Sequence, residues 1–104
     1  MEGAILSWAD LSGANLEDAD LNGVDLSKAD LGKANLRGAD LGGANLRGSD
    51  LKAADLDGAA LDEADLSGAN LNGANLNGTN VNPEQLALAA SLEGATLADG
   101  TVYE

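Results

Sequence analysis

Leucine recurs along this chain at every fifth position: 6, 11, 16, 21, 26, 31, 36, 41, 46, 51, 56, 61, 66, 71 and 76, with Val81 in the next place. Sixteen consecutive five-residue units therefore run from Ala4 to Pro83. The first slot of each unit is small: Ala in thirteen, with Val24, Ser49 and Thr79 in the others. The second slot is Asp or Asn in fourteen units, Ile5 and Ala60 being the exceptions. Leu holds the third slot, the fourth varies, and the fifth is Gly in nine units. On an α-helix five residues advance about 500°, so these leucines would wind around the cylinder. On a flat strand an odd period sends successive leucines to opposite faces. A chain that turns through a quarter-circle per unit instead points every leucine inward, and four units close one square coil. The small first-slot residue also points inward near the corner, while the other three slots face solvent.

The turn chemistry fits this bend. Asp and Asn bond to nearby backbone and tolerate turns, and Gly reaches positive φ without steric cost. Stacked coils pair their backbones like parallel strands about 4.8 Å apart, so four coils make a shaft of roughly 20 Å. The pattern predicts an all-β solenoid over residues 1–83 and a separate C-terminal segment over residues 84–104. In that segment Asn82 is a good N-cap, Pro83 suits the first helical turn, and Gln85 is placed for a capping box. Leu86, Leu88, Ala89 and Leu92 are placed to lie over the last coil, and Gly94 to end the helix. Leu97 and Val102 then run an extended tail back along the body through a turn at Asp99-Gly100.

The unit A-(D/N)-L-x-x, repeated from Ala4 to Pro83, resembles the pentapeptide repeat family. The resemblance implies a right-handed quadrilateral parallel β-helix of about four coils with a short C-terminal α-helical cap; the hand comes from the resemblance alone. The tail "QLALAASLEGATLADGTVYE" is similar to the C-terminal end of cyanobacterial members, in which a short helix covers the last coil; members often have Met-Pro where Leu97-Ala98 stand here. Natural members usually mix Phe, Ile and Met among the central residues. Here fifteen central residues in a row are Leu and no Phe occurs, a uniformity expected of a consensus or de novo design as well as of an unusually regular natural member.

Composition narrows the function. The net charge is −13, from 18 acidic and 5 basic residues without His. Direct binding to a phosphate backbone needs Lys and Arg, so nucleic acid is not an expected partner. With no Cys there are no disulfides, thiolate sites or Cys nucleophiles. No base stands beside Ser7, Ser12, Ser27, Ser49, Ser67 or Ser91, and a convex packed shaft offers no pocket to shift a carboxylate pKa. An enzyme is not expected, nor a cofactor. "DLDGAALDE" lacks calcium-loop spacing, so no metal site is expected. No apolar run approaches a membrane span, and "MEGAILSW" lacks the basic region of a signal peptide, which suggests a cytoplasmic protein.

Two surface features remain. Stacking unit n over unit n−4 gives the four sides formal charges of 0, −1, −3 and −4. The third side carries Glu17, Asp18, Arg37, Asp55 and Asp57, and the adjacent fourth carries Asp20, Asp40, Asp62 and Glu63. The ordinary reading is that these acids form turns and solubilise the shaft. As a function, they offer an acidic interaction face on a structural scaffold. The family resemblance adds an alternative, because some members imitate duplex DNA and modulate DNA gyrase, a type II topoisomerase; those shafts are longer than four coils. The second feature is Ile5 with Trp8 at the N-terminal end. Either Met1, Ile5 and Trp8 fold over the first coil, or Ile5 and Trp8 make an end-to-end contact in a weak homodimer.

Overall fold

In the computed structural model, which describes residues 3–103, the chain forms a square shaft with extents of 33 × 25 × 22 Å. Each second-slot residue pairs in parallel with the one twenty positions later: Ile5 with Asp25, Asp25 with Asn45 and Asn45 with Asp65 on the first face. Asp10, Asp30, Asp50 and Asn70 pair likewise on the second face, Asn15, Asn35, Asp55 and Asn75 on the third, and Asp20, Asp40 and Ala60 on the fourth. Each side is one paired residue wide, so the ladder consists of single bridges between corners.

The unit Val24–Lys28 shows why five residues suffice. The Asp25 N–H donates down to the Ala4 carbonyl at 2.9 Å, and the Leu26 N–H donates up to Asn45 at 2.8 Å. The Lys28 N–H also donates up, to Arg47 at 2.9 Å. The Val24 N–H closes the corner on the Leu21 carbonyl at 3.1 Å. The remaining donor, the Ser27 N–H, goes to the Asp25 carboxylate at 3.0 Å. Every backbone donor of the unit is thus satisfied, as burial against a core requires. That last bond explains Asp and Asn in the second slot: a side chain must reach forward two residues to an amide that the ladder leaves over.

The interior is leucine and alanine. All twelve leucines from Leu21 to Leu76 are fully buried, each contributing about 2 kcal/mol of transfer free energy. Ala29, Ala34, Ala39 and their equivalents fill the corners between them. Ser49 and Thr79 take alanine places because their hydroxyls donate back to the carbonyls of Leu46 and Leu76, at 2.8 and 2.9 Å. Among the described residues no buried side-chain polar atom lacks a partner. Leu6, Leu11 and Leu16 in the first coil are only partly buried.

The fifth slot is the tightest corner. It lies in the left-handed region at every unit from Trp8 to Gly78, and six of these residues are not glycine: Trp8, Asp18, Lys28, Lys33, Ala53 and Glu63, with φ between 60° and 66°. A side chain there costs roughly 1–2 kcal/mol.

Helix α1 spans Pro83–Ala87 and carries the expected capping box. Asn82 Oδ1 accepts the Gln85 N–H at 2.8 Å, and Gln85 Oε1 accepts the Asn82 N–H at 2.9 Å. Leu86, Ala89 and Leu92 pack against the core. Leu88 does not: it is the C-cap, and its side chain is 60% exposed. Gly94 does not end the helix, which stops at Ala87; it lies in a later turn with φ +76°. The chain after α1 rejoins the ladder, Ser91 pairing with Asn70 and Thr96 with Asn75. It then reverses at Asp99-Gly100, so that Val102 pairs antiparallel with Thr96.

Candidate functional site: the faces of the shaft

Because the fourth and fifth slots point outward, the surface chemistry of each face is set by its column of units. On the third face Arg37 lies between coils, with Nη1 at 3.2 Å from both Asp55 Oδ2 and Asp57 Oδ2. Hydrogen bonding to Asp55, joined by the charges of Asp55 and Asp57, holds the guanidinium above its ordinary pKa. Glu17 and Asp18 stand below it, exposed. On the fourth face Asp20 and Asp40 accept the N–H groups of Asn22 and Gly42, at 3.2 and 2.9 Å. Asp62 instead accepts from Asn80 Nδ2 at 3.4 Å, and Glu63 is exposed at a left-handed corner.

The eight candidate acids therefore share two adjacent faces but differ in freedom. Asp20, Asp40 and Asp55 are tied into their turns. Asp57 is paired with Arg37. Glu17, Asp18, Asp62 and Glu63 are not held in either way, and no basic residue stands on the fourth face.

Four other carboxyls lie below the ordinary carboxylate range for one shared reason. The hydroxyl two residues ahead donates to Asp10, Asp25, Asp65 and Asp99, supported by the amide of the same residue. The hydroxyl distances run from 2.6 to 2.7 Å. Asp65 also receives Arg47 at 3.2 Å. These acids are turn parts, and among the described residues no cluster suited to a metal is formed.

Ile5 and Trp8 do not fold over the first coil. Both stand out from the first face, 77% and 74% exposed. Ile5 occupies the outward second slot that Asp25 fills one coil above, and Trp8 the fifth slot below Lys28. Lys28 Nζ lies 5.8 Å from the indole centroid, a cation–π contact. Met1 falls outside the described residues. A role for Gln85 beyond the capping box gave no sequence signal: its Nε2 also donates to the carbonyls of Leu61 and Ala64, at 2.7 and 2.9 Å. It thereby fastens α1 to the shaft.

The model of pentapeptide repeats (8 copies) matches residues 4–43 and 44–82. The chain belongs to the pentapeptide repeat family. It is similar to a pentapeptide repeat protein from the thylakoid lumen of Arabidopsis thaliana, with 34% identity, a TM-score of 0.75, and coverage of 92% of this chain and 63% of that one. It is also similar to a pentapeptide repeat protein from Nostoc PCC 7120, with 40% identity, a TM-score of 0.54, and coverage of 91% and 65%. The chain thus spans less than two thirds of the length of either relative. No curated protein matches it. The family fold, a right-handed quadrilateral β-helix, is the fold of this chain. Among the described residues no helix is long and apolar enough to cross a membrane.

Proposed function

We propose that this pentapeptide repeat protein is a non-enzymatic interaction scaffold, a shaft of four coils over residues 1–83 closed by α1 and the tail over residues 84–104. Its third and fourth faces are the surface offered to a basic protein partner. The observation that carries this reading is the placement of Glu17, Asp18, Asp62 and Glu63: four exposed carboxylates on adjacent faces that the turn hydrogen bonds do not use. A rigid backbone holds them at fixed spacing, so a partner pays little ordering entropy on that side. The test is cross-linked capture from a cell lysate with the native chain and with a Glu17→Gln, Asp18→Asn, Asp62→Asn, Glu63→Gln variant. Basic proteins retained by the native chain, released by salt and lost with the variant support the reading. An identical retained set with both overturns it.

The alternative, a duplex mimic acting on DNA gyrase, needs acidity continuous along the shaft. Arg37 and its two ion pairs interrupt the third face midway. A supercoiling assay with purified gyrase is expected to show no inhibition; inhibition at low micromolar protein would restore the alternative.

A further inference from the structure

The first face differs from the others in charge and in relief. It is formally neutral, from Asp25, Lys28, Arg47 and Asp65, whereas the others carry −1, −3 and −4. Its row of fifth-slot residues reads Trp8, Lys28, Gly48, Gly68 from the first coil upward. The lower half is bulky, the Lys28 stem leans over Gly48, and Gly68 is left bare. Beside it lies an open groove of about 310 Å³ lined by Lys28, Arg47, Gly48, Ser67 and Gly68. Trp8, the one tryptophan in the chain, is 74% exposed at φ +66°. That backbone is one a glycine adopts freely and an indole strains.

We propose that the first face is a homodimer interface, two shafts lying side by side and antiparallel, with Trp8 of each seated in the groove over Gly68 of the other. The row is its own complement under a two-fold axis crossing the face between the second and third coils. That rotation sets Trp8 opposite Gly68, and Lys28 opposite Gly48. An isologous interface requires this reciprocity.

The charges agree with the same rotation. Asp25 faces Asn45, Arg47 faces Ser27, and Asp65 faces Ile5, so none of these charges meets its like. The two Lys28 stems, each leaning over Gly48 of its own shaft, must swing aside from each other. On the second face the equivalent rotation sets Asp30 against Asp50; on the third and fourth faces no acid meets an acid directly, but each face carries a net charge, −3 and −4, that repels its own copy. Like charges opposed across an interface oppose association. Of the four faces, the first alone meets a copy of itself with no net charge on either side. The indole would then lie beside the guanidinium of Arg47 and the stem of Lys28, the kind of anchor that dominates interfaces. The third and fourth faces stay open in the pair, so the interface does not depend on the acidic surface having a partner.

Sedimentation equilibrium tests this with three variants. The native chain is expected to form dimers, more tightly as salt screens the charge of −13 on each shaft. Trp8→Gly should weaken association about tenfold or more while raising the melting temperature, because it removes both the anchor and the strain. Gly68→Lys should weaken it similarly, since Lys is accommodated at this backbone conformation in Lys28 and Lys33. Gly43→Lys on the fourth face adds the same charge in open space and should leave the dimer intact. The fluorescence of Trp8 should shift to the blue with rising protein concentration. A native chain that stays monomeric, or a dimer indifferent to Gly68→Lys as an end-to-end contact would be, overturns the proposal.

Discussion

The Asp25 carboxylate receives two hydrogen bonds from Ser27, one from its amide at 3.0 Å and one from its hydroxyl at 2.6 Å. The hydroxyl is the larger reason why the carboxyl titrates below its ordinary value, and the amide the second. A carboxyl depressed in the folded state stabilises the fold above its unfolded pKa and loses that contribution as pH falls through the folded one. Ser27→Ala should therefore raise the Asp25 midpoint, read from its carboxyl carbon resonance during acid titration. The same change should reduce the loss of stability contributed by this site below about pH 4. An unmoved midpoint would assign the depression to the amide alone.

Ala53 tests the strained corner. Its φ of 60° belongs to a slot that Gly fills in nine units. Ala53→Gly relieves roughly 1–2 kcal/mol of strain and returns part of it as unfolded-chain entropy, for a net gain of about 0.5–1 kcal/mol. The reverse change, Gly73→Ala, should destabilise by a similar amount, since φ is +68° and the added methyl meets ordinary contact distances. Denaturant midpoints with unchanged slopes would give both signs.

Ala60 tests the turn bond. It stands where Asp or Asn is usual, and no side-chain acceptor meets the Asp62 N–H among the described residues. Ala60→Asn should stabilise by about 0.5–1.5 kcal/mol, the net value of one hydrogen bond. Asp50→Ala, which strips the acceptor 2.9 Å from the Lys52 N–H, should cost about as much.

Gln85 tests the fastening of α1. Gln85→Ala removes two bonds to the carbonyls of Leu61 and Ala64 and half of the capping box. A loss of about 1–3 kcal/mol is expected, concentrated at the C-terminal end. Hydrogen exchange should quicken at the amides of Leu71 and Leu76, which donate to Ser91 and Thr96, and stay slow at Leu26.

The shaft was legible in the sequence because one requirement, a buried leucine on every side of the square, repeats until no other regular structure satisfies it. The second-slot Asp and Asn were legible for the same reason: their chemistry is local, reaching two residues. What the sequence hid was non-local. The spacing of Leu86, Leu88 and Ala89 suits a longer helix, but α1 ends at Ala87 and the chain must rejoin the ladder, so Leu88 faces solvent. Gly94 reads as a helix stop, yet the turn it serves lies after the ladder resumes at Ser91. Ile5 and Trp8 read as a cover for the first coil because they are apolar, while the repeat register sends their slots outward. The register is the stronger constraint, because breaking it would forfeit the ladder bonds that Leu6 and Trp8 make to Asp25 and Ser27. The acidic faces were legible as columns of charge. Which acids are spent on turns and which are free follows only from the hydrogen bonds.

The account depends on the chain returning to the same corner every twenty residues. Nuclear Overhauser spectroscopy on the labelled protein tests this directly. Amide cross-peaks should connect Leu26 to Asn45 and Leu46 to Asp65, pairs whose N···O separation is 2.8 Å. Their absence, with sequential amide contacts typical of helix running through the leucine repeat instead, would contradict the fold and everything built on it.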